Sequence, residues 1–519
     1  MSTKCGKESN RRPCDILLIH PPWFRLQNSS LIPYPIGPSQ VAGILESAGM
    51  DVLVWNGDFD PDAPMSVGGT NILKTNELTK MHEWFLHRLS DAEDPIWKEA
   101  LDIIRLTRPK VVGLSAYSSS FKSAANIAGL VKEYDPSIST VLGGVHASID
   151  PLGCLHSEPT IDVVACGEVE LTAPALFAAL LKGRPESASL AKIPGIAFRD
   201  NGLARRTEPG PIVENLDEIP LPARHLLIDL DKMPPHAFQS LYGFRGCPFR
   251  CIFCGSFNVH GRKARMRSAE SMADEIEKVN RQYGTRYFYI CDDIFLLRQE
   301  RAKKFTEILR EKRLPIYYSI QTRGEMMDPL ILKALKETGC QHIAVGVEVG
   351  DEQIRRLIKK GNTVDDMRDA ARRIREAGLR MVGFFMFGFP WETREQMLKT
   401  ADLMEELDPC VAFPYIVTPS PGTELLTIAQ DMELVGADVD LSSFHHESPR
   451  MGLTEKIPES ERAKFLDEIL ERFARQNRRK IRKDIFKRPL FYLAAASDVG
   501  LTSSLSKTMR YMSAILSGG

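Results

Sequence analysis

Short apolar runs alternate with amphipathic stretches along the first third of the chain. Five of these runs have strand length and are apolar at consecutive positions, which is typical of parallel strands buried on both faces. Helical spacing follows, as in 38–48, which stops at Gly49, and in Phe121–Tyr134. This alternation predicts an α/β fold with a doubly wound, Rossmann-like parallel sheet. The runs are 15–20, 51–55, 110–115, 139–144 and 162–166.

The alternation returns after a stretch rich in proline and glycine. Within that stretch, 195–199 and 203–206 flank Asp200-Asn201-Gly202, which predicts a hairpin, and 219–222 predicts an extended crossing. Counting one strand before Cys247, six strand-like runs with helices between them follow, and they predict a partial (β/α)6 barrel of the TIM type. The runs after Cys247 are 286–290, 316–321, 342–348, 381–390 and 411–416.

These patterns divide the chain into five parts. A length of 519 residues agrees with such a division, because a single hydrophobic core rarely extends over so long a chain. We expect a flexible N-terminus over 1–14, a first α/β domain over 15–190, a linker with the hairpin over 191–235, a barrel domain over 236–430 and a helical region over 431–519.

Charge and composition exclude several classes of partner. The formal net charge is −1, so the overall balance does not attract nucleic acid, and none is expected as a partner. There is no run of about 18 apolar residues, so no transmembrane helix is expected. The N-terminus lacks the apolar core of a secretory signal. The ten cysteines are mostly scattered, so we expect free thiols and a reducing, cytoplasmic location.

Three of the cysteines stand together in one short loop. Cys247, Cys251 and Cys254 have a C-x3-C-x2-C spacing, which can wrap three thiolates around one inorganic cluster. A cube of four irons held by three thiolates leaves one iron open, and an open metal position is where a substrate or cofactor binds. The alternative is a zinc knuckle with His260 as the fourth ligand.

This spacing, with the aromatic Phe253 just before the last cysteine, resembles the radical S-adenosylmethionine enzymes. The resemblance implies a [4Fe–4S] cluster whose open iron is chelated by the amino and carboxylate groups of S-adenosylmethionine. The reduced cluster cleaves that cofactor to methionine and a 5′-deoxyadenosyl radical. The resemblance also implies that Phe253 lies beside the adenine and that a low-potential donor of the flavodoxin or ferredoxin type supplies the electron.

Polar residues at the predicted strand ends of the barrel are expected to face this cluster. By the same resemblance, Asp292 and Asp293 would accept from the amino group of S-adenosylmethionine, and Arg323 would pair with its carboxylate. Glu348 would bind the ribose hydroxyls or the amino group, and Gly388-Phe389-Pro390 would shape the adenine side. The alternative for Arg323 and Glu348 is a structural ion pair inside the barrel mouth.

The loops after the strands of the first half are rich in glycine and hydroxyl groups. Paired glycines allow the backbone to approach a flat or bulky ligand closely, and the absence of G-x-G-x-x-G gives no indication of a dinucleotide. The G-G-x-H-A-S and G-E-x-E loops resemble the cobalamin-binding domain of one large radical S-adenosylmethionine subfamily, although Val169 stands where glycine is more usual. The resemblance implies cobalamin bound over 15–190 by Ser115, Tyr117, Ser118, Gly143, Gly144, His146, Ser148, Gly167 and Glu168.

Two points of this second site stay open. The D-x-H-x-x-G motif, which supplies a histidine to cobalt in another cobalamin family, is absent. The resemblance implies cobalamin held base-off, with no lower axial ligand assigned. We expect His146 to satisfy loop carbonyls rather than to ligate cobalt. A flavodoxin-like domain with another ligand is the alternative for the whole half, because fold does not determine function.

The resemblance covers about residues 15–430 and implies a cobalamin-dependent radical methyltransferase with a small-molecule or lipid-like substrate. In that scheme one S-adenosylmethionine methylates cob(I)alamin, and a second gives the radical that abstracts hydrogen from the substrate. The substrate radical, at an unactivated carbon or phosphorus centre, then takes the methyl group from methylcobalamin. The alternatives are a radical oxidative cyclase of the tetrapyrrole type, a rearrangement enzyme and a non-catalytic cobalamin or redox sensor.

A basic stretch near the C-terminus, followed by the apolar segment 490–493, offers a further surface. It is either a solvated helix face before a packed terminal helix, or a contact for an anionic substrate or a peripheral membrane surface. Its residues are Arg472, Arg475, Arg478, Arg479, Lys480, Arg482, Lys483, Lys487 and Arg488.

Overall fold

The chain folds into two large sheets with helices packed around them. Part of the predicted flexible N-terminus, residues 1–9, lies outside the described residues, and so do Arg488 and the segment 490–493. The computed structural model describes residues 10–28, 33–60, 75–183, 185–436 and 452–487.

The first sheet has seven strands in the order 2-1-3-4-5-6-7, and its first five strands are parallel. Parallel sheets are buried on both faces, and this one follows that rule. The neighbouring residues Leu17 and Leu18 of one strand belong to different apolar cores on opposite faces of the sheet. The predicted doubly wound sheet is confirmed. Its strands are β1 Ile16–His20, β2 Val52–Asn56, β3 Val111–Ser115, β4 Ser139–Gly143, β5 Val163–Ala165, β6 Ile196–Asp200 and β7 Leu203–Arg206.

The helices of this part cover both faces of the sheet. Phe121–Tyr134 forms the predicted helix with the expected bounds. Asp94 caps another helix by accepting from the backbone N–H of Ile96 at 3.0 Å. The helices are α1 Ile36–Ser47, α2 Thr75–Ser90, α3 Pro95–Thr107, α4 Phe121–Tyr134, α5 Val145–Ile149, α6 Pro151–Ser157, α7 Ala173–Leu180 and α8 Ser187–Leu190.

The predicted hairpin forms, but it extends the first sheet instead of standing in a linker. Asn201 and Gly202 both have positive φ angles, 50° and 84°, as a two-residue hairpin turn requires. β6 then pairs antiparallel with β5, placing Phe198 opposite Val163. The hairpin thereby covers the edge of β5 that the parallel strands leave unpaired.

The second sheet has six parallel strands and does not close, which confirms the predicted partial barrel. Across the sheet the order is β15-β14-β13-β12-β11-β8. These strands are β8 Ser240–Leu241, β11 Tyr287–Ile290, β12 Tyr317–Thr322, β13 Cys340–Glu348, β14 Arg380–Phe387 and β15 Val411–Ile416. Between β8 and β11, β9 Phe244–Arg245 and β10 Arg265–Met266 form an antiparallel pair, called the brace below, on either side of the cysteine loop.

The helices around the barrel follow the predicted alternation. Ser268 caps the first long one by accepting from Ser271 N–H at 3.0 Å, and serine is a residue type favoured at this position. They are α9 Phe257–His260, α10 Ala269–Tyr283, α11 Gln299–Lys312, α12 Pro329–Glu337, α13 Glu352–Leu357, α14 Val364–Glu376, α15 Arg394–Leu407, α16 Glu424–Asp431 and α17 Glu459–Lys487.

Helix α17 covers the open edge of the barrel. The Asn477 side chain accepts from the Ala412 N–H at 2.8 Å and donates to its carbonyl at 2.7 Å, so it bonds the edge strand β15 much as another strand would. Phe473 packs edge-on against Phe385 and Phe387. In the described part of the chain, we find no helix with the length and apolar character needed to cross a membrane.

A buried network of charges joins the two sheets through the segment between them. Arg224 donates to Glu275 on α10 at 2.5 Å and to the hydroxyl of Tyr34, which precedes α1, at 2.6 Å. Arg267 pairs with the other oxygen of Glu275. The segment itself crosses α1 at Gly43, where an added Cβ would lie 2.7 Å from the Leu221 carbonyl. The linker is therefore packed at this point.

Replacing Glu275 tests this network. Glu275→Gln leaves Arg224 and Arg267 buried without a countercharge, and we expect a loss of about 3–5 kcal/mol in the free energy of unfolding. The measurement is urea unfolding of the apoprotein. The control is Glu214→Gln, which breaks an exposed pair with Lys263 and should cost under about 1 kcal/mol. Equal losses in the two variants would contradict the assigned role.

Candidate active site

The carboxyl ends of the two parallel sheets face each other across one cleft. Helix α5, which follows β4, contacts α9, which follows the cysteine loop. A Cβ added at Gly422 would lie 3.1 Å from Ile149, and one added at Gly167 would lie 3.9 Å from the Val259 carbonyl. Parallel sheets bind ligands at this edge, so a ligand of the first sheet would meet a ligand of the second here.

The cysteine loop is fixed at both ends by backbone bonds. Cys247 N–H donates to the Gly261 carbonyl at 3.2 Å, and Ile252 N–H donates to the Ile358 carbonyl at 3.2 Å. Gly246 has a φ of 81°, and a Cβ there would lie 2.2 Å from the Lys263 carbonyl, so only glycine fits this crossing. The three thiols of the loop stay partly exposed.

The thiols of the loop must lose their protons before they bind a metal. Burial raises the pKa of Cys254 to about 11 and also raises that of Cys247, so iron must displace their protons on binding. Among the described residues, no three histidine, cysteine or acidic side chains converge on one metal position. His260, the fourth ligand in the zinc alternative, donates its Nδ1 to Glu168 at 2.9 Å. The C-x3-C-x2-C spacing fits a cluster that offers a separate iron to each thiolate.

Asp292 and Asp293 follow β11 but lie in different surroundings. Asp292 is fully buried, accepts from Gly243 N–H at 2.6 Å and pairs with Arg301 at 3.0 Å. Burial raises the pKa of Asp292, against the opposite effect of Arg301. Asp293 is exposed and accepts from Ser256, two residues after the last cysteine of the loop, at 2.7 Å. Asp293 is therefore the carboxylate of the pair that faces the cleft.

Arg323 and Glu348 both occur in the ion pairs that were the alternative for them. Arg323 donates to Glu325 at 2.5 Å and to the Lys360 carbonyl, and its guanidinium lies 3.7 Å from the centre of the Phe249 ring. Glu348, with a φ of 63°, accepts from the ammonium of Lys360 at 2.6 Å. Arg323 thus links the cysteine loop to the segment after α13, and Glu348 bonds that same segment at Lys360.

The turn after β14 is held by the carboxyl group of Glu392, for which no local sequence pattern indicates a role. Glu392 is fully buried and accepts from the N–H groups of Gly388 and Phe389 at 2.8 and 3.2 Å. Burial raises the pKa of Glu392 to about 8, although these two donors lower it. Phe389 packs against Phe253 at a centroid distance of 6.1 Å. Glu392 therefore fixes the surface on which Phe253 rests.

The glycine-rich loops of the first sheet form a crevice at its carboxyl edge. Gly144 has a φ of 96°, and a Cβ there would lie 2.7 Å from the Ala116 carbonyl, so its own loop requires glycine. At Gly143 the nearest atom to an added Cβ would be the Leu114 carbonyl oxygen at 4.0 Å, an ordinary contact distance, so this backbone position is not crowded. Ser148 is already used within the loops, because it donates to the Gly144 carbonyl at 2.8 Å and accepts from Gly167 N–H at 2.9 Å.

His146, Ser118 and Tyr117 complete the crevice. The His146 ring packs on Phe121 at 4.4 Å, and its Nδ1 lies 3.0 Å from the Ser118 hydroxyl. Burial lowers the pKa of His146, which favours the neutral ring. Its ring thus contacts a hydroxyl where a carbonyl was expected. Ser115 is partly exposed and Tyr117 is exposed, while Glu168 is buried in ion pairs.

An aromatic lining on the inner face of the barrel was missed in the sequence. On β14 and β15, Phe384 lies 5.4 Å from Phe413 and 6.1 Å from Tyr415, and all three are partly exposed. Tyr289 of β11 donates to Gln321 at 3.1 Å. The period-two alternation of these strands is the signal that predicts such a face.

Comparison with known proteins agrees with this arrangement. Residues 241–404 match the Radical SAM superfamily, and residues 84–177 match the B12 binding domain. An uncharacterized methyltransferase of Pyrococcus horikoshii is 34% identical over 335 residues, which are 64% of this chain and 72% of that protein. Cytidylyl-2-hydroxyethylphosphonate methyltransferase of Streptomyces wedmorensis is 27% identical over 82% of this chain and 83% of that protein.

Among solved structures, the radical S-adenosylmethionine methyltransferase TsrM of Kitasatospora setae, with tryptophan and an analogue of S-adenosylmethionine bound, is similar in fold. The TM-score is 0.61 at 19% identity, over 81% of this chain and 76% of that chain.

The buried carboxyl group of Glu392 predicts a pH dependence of stability. Its pKa of about 8 in the folded protein lies above the ordinary value of 4.5, so its contribution is complete below that value and is lost as pH rises through 8. Glu392→Gln cannot ionise, so it should match the parent near pH 5 and have a higher melting temperature than the parent at pH 8.5. The corresponding difference in the free energy of unfolding is on the order of a few kcal/mol. The measurement is the melting temperature of the apoprotein.

The exposed neighbour Glu395 provides the control for this experiment. Glu395→Gln should keep the parent's pH profile. A parent whose stability is constant between pH 5 and 8.5 would contradict the assignment to Glu392.

Proposed function

We propose, because the chain belongs to the cobalamin-binding radical S-adenosylmethionine enzymes, that it transfers a methyl group to an unactivated carbon or phosphorus centre of a small-molecule or lipid-like substrate. Its cofactors are a [4Fe–4S] cluster, S-adenosylmethionine and cobalamin. Both relatives described above are methyltransferases, and one of them aligns over 83% of its length.

The proposal rests on one observation, the meeting of two predicted cofactor sites across a single cleft. The crevice at Gly143 lies on one side and the cysteine loop on the other, and α5 and α9 are in contact between them. S-adenosylmethionine would supply the methyl group and the radical, and cobalamin would carry the methyl group to the substrate. The protein has to place the substrate within reach of both cofactors and to exclude water.

Within this scheme we assign each side chain a role according to its surroundings. The three cysteines of the loop hold the cluster, and a guanidinium nitrogen of Arg323 lies 4.0 Å from the Cys251 sulfur. The exposed carboxylate of Asp293 accepts from the ammonium of S-adenosylmethionine. Phe253, resting on Phe389, lies beside the adenine. Asp292, with both oxygens bonded elsewhere, supports the strand end.

The inner face of the barrel favours a substrate with an apolar or aromatic portion. Phe384, Phe413 and Tyr415 form one apolar wall, and Tyr289 and Gln321 offer hydrogen-bonding groups. Ligand pockets combine such apolar walls with a few polar groups that fix orientation. A small molecule or lipid-like substrate could place its reacting carbon at the cleft while its apolar part lies along this wall.

The electron donor has a candidate contact beside the cysteine loop. Arg250 and Arg262 are exposed there, and Arg262 donates to the Phe249 carbonyl at 2.7 Å. Positive charges at this place would steer an acidic donor of the flavodoxin or ferredoxin type. The described part of α17 supports membrane contact less, because Arg472 and Lys480 pair with acidic residues of α15 and the residue that follows it.

Product analysis tests the proposed reaction. Protein reconstituted anaerobically with iron, sulfide and cobalamin should, with reductant and S-adenosylmethionine, form both 5′-deoxyadenosine and S-adenosylhomocysteine. Cys254→Ala should lose the broad visible absorbance of the cluster and reduce 5′-deoxyadenosine at least about a hundredfold. Cys410→Ala, at the opposite end of the barrel before β15, should keep both. Formation of 5′-deoxyadenosine without S-adenosylhomocysteine in the parent would exclude methyl transfer and favour cyclisation or rearrangement.

The two aspartates after β11 should separate binding from stability. Asp293→Asn should weaken binding of S-adenosylmethionine about ten- to a hundredfold, since a charge-assisted bond contributes about 1.5–3 kcal/mol. Its iron content and melting temperature should match the parent. Asp292→Asn should lower the melting temperature, because Arg301 loses its partner in the interior. Weaker cofactor binding in Asp292→Asn alone, with unchanged stability, would transfer the role to Asp292.

A further inference from the structure

The best-enclosed ion pair of the cleft joins the cobalamin side to the cysteine loop. The Glu168 side chain keeps only 1% of its surface exposed. Arg265 donates to both of its oxygens, one of these bonds measuring 2.9 Å, and His260 donates at 2.9 Å. A guanidinium nitrogen of Arg245 lies 3.2 Å away. We call these four residues the Glu168 cluster.

All three partners of Glu168 belong to the frame of the cysteine loop. Arg245 and Arg265 lie opposite each other in the brace, immediately before and after the loop region. Arg265 also donates to the His260 carbonyl at 3.2 Å, and the next residue, Gly261, accepts from Cys247 N–H. A shift of the carboxylate would therefore be transmitted to the loop that holds the thiols.

On its other side, Glu168 is linked to the crevice of the first sheet. The adjacent Gly167 donates its N–H to Ser148, and Ser148 donates to the carbonyl of Gly144. A continuous series of bonds thus leads from Gly144 through Ser148 and Glu168 to the frame of Cys247. The motif that suggested a cobalamin contact for Glu168 instead supplies an anchor between the two halves.

Burial and charge make this anchor directional. Burial would raise the pKa of Glu168, but the bonds from His260 and Arg265 lower it to about 2, so the carboxylate is charged at any working pH. A bidentate guanidinium–carboxylate pair fixes angle as well as distance. The exposed pair between Lys263, two residues before β10, and Glu214 lacks this constraint, because the two side chains are 69% and 59% exposed.

We propose that the Glu168 cluster is a positioning device, which sets the separation of the cobalamin crevice from the cysteine loop so that methyl transfer to cobalamin keeps pace with radical formation. The inference rests on the proposed function for its two cofactors. Formation of 5′-deoxyadenosine requires only the cluster and S-adenosylmethionine. Formation of S-adenosylhomocysteine requires S-adenosylmethionine and cobalamin at the correct distance and orientation. A misplacement of one cofactor by about 1 Å can lower the rate on the order of a hundredfold.

The test compares Glu168→Gln with the matched control Glu214→Gln in the reconstituted holoenzyme. The first readout needs no turnover: pulsed electron paramagnetic resonance measures the distance between cob(II)alamin and the reduced cluster. We expect a broader or displaced distance distribution in Glu168→Gln and an unchanged one in Glu214→Gln. The second readout is the ratio of S-adenosylhomocysteine to 5′-deoxyadenosine, which should fall about tenfold or more in Glu168→Gln alone.

Arg245→Lys serves as a milder variant in case Glu168→Gln does not fold. Arg245 is partly exposed, and a lysine keeps the charge but loses the fork, so an intermediate broadening is expected. An unchanged distance and ratio in folded Glu168→Gln, or in Arg245→Lys where Glu168→Gln fails to fold, would overturn the inference. An equal fall in both products with an unchanged distance would also overturn it. A parent that forms no S-adenosylhomocysteine would instead contradict the proposed function.

Discussion

The carboxylate of Glu275, buried between two guanidinium groups, ties the segment between the two sheets to both halves of the chain. It neutralises Arg224 from the connecting segment and Arg267 from the start of α10, and Arg224 reaches Tyr34 of the first half. Charges removed from water are tolerated only with close partners, so none of these elements can shift alone without leaving an uncompensated charge in the interior. The network therefore specifies one arrangement of the sheets among those that apolar packing alone would allow.

Because the sheets are held in this way, the chemistry of the cleft depends on which polar groups remain available. Asp292, Arg323 and Glu348 are satisfied by protein partners. Asp293 and the thiols stay accessible. Pairing of the other charges fixes the walls without offering competing acids or bases to a reactive intermediate. The aromatic inner face adds a surface that excludes water, which suits radical chemistry in a closed site.

Local patterns account for most of what the sequence predicted. The bounds of α4 follow from helical spacing, and the cap at Ser268 from side-chain chemistry. The hairpin at Asn201-Gly202 was predicted from its local turn residues. Its pairing with β5 depends on which edge of the sheet is free, and tertiary structure determines that. The three thiols were identified because their spacing is short and specific.

Partners distant in sequence could not be predicted in this way. Glu168 meets Arg265 across 97 positions, so the ion pair between them could not be predicted from the local motif. Asp292 and Asp293 are neighbours in sequence, and only the register of β11 decides that one is buried and the other faces the cleft. Glu392 carries no local signal, because its importance comes from burial beneath the turn at Gly388.

The bonds from Asn477 to Ala412 have a consequence for the order of events during synthesis. The last barrel strand is complete at Ile416, but the helix that satisfies its outer edge begins only at Glu459. Until α17 has left the ribosome, β15 presents free backbone groups beside Phe385 and Phe387, and such an edge can pair with another chain. A nascent or prematurely terminated chain would thus expose this edge, and α17 protects it in the complete fold.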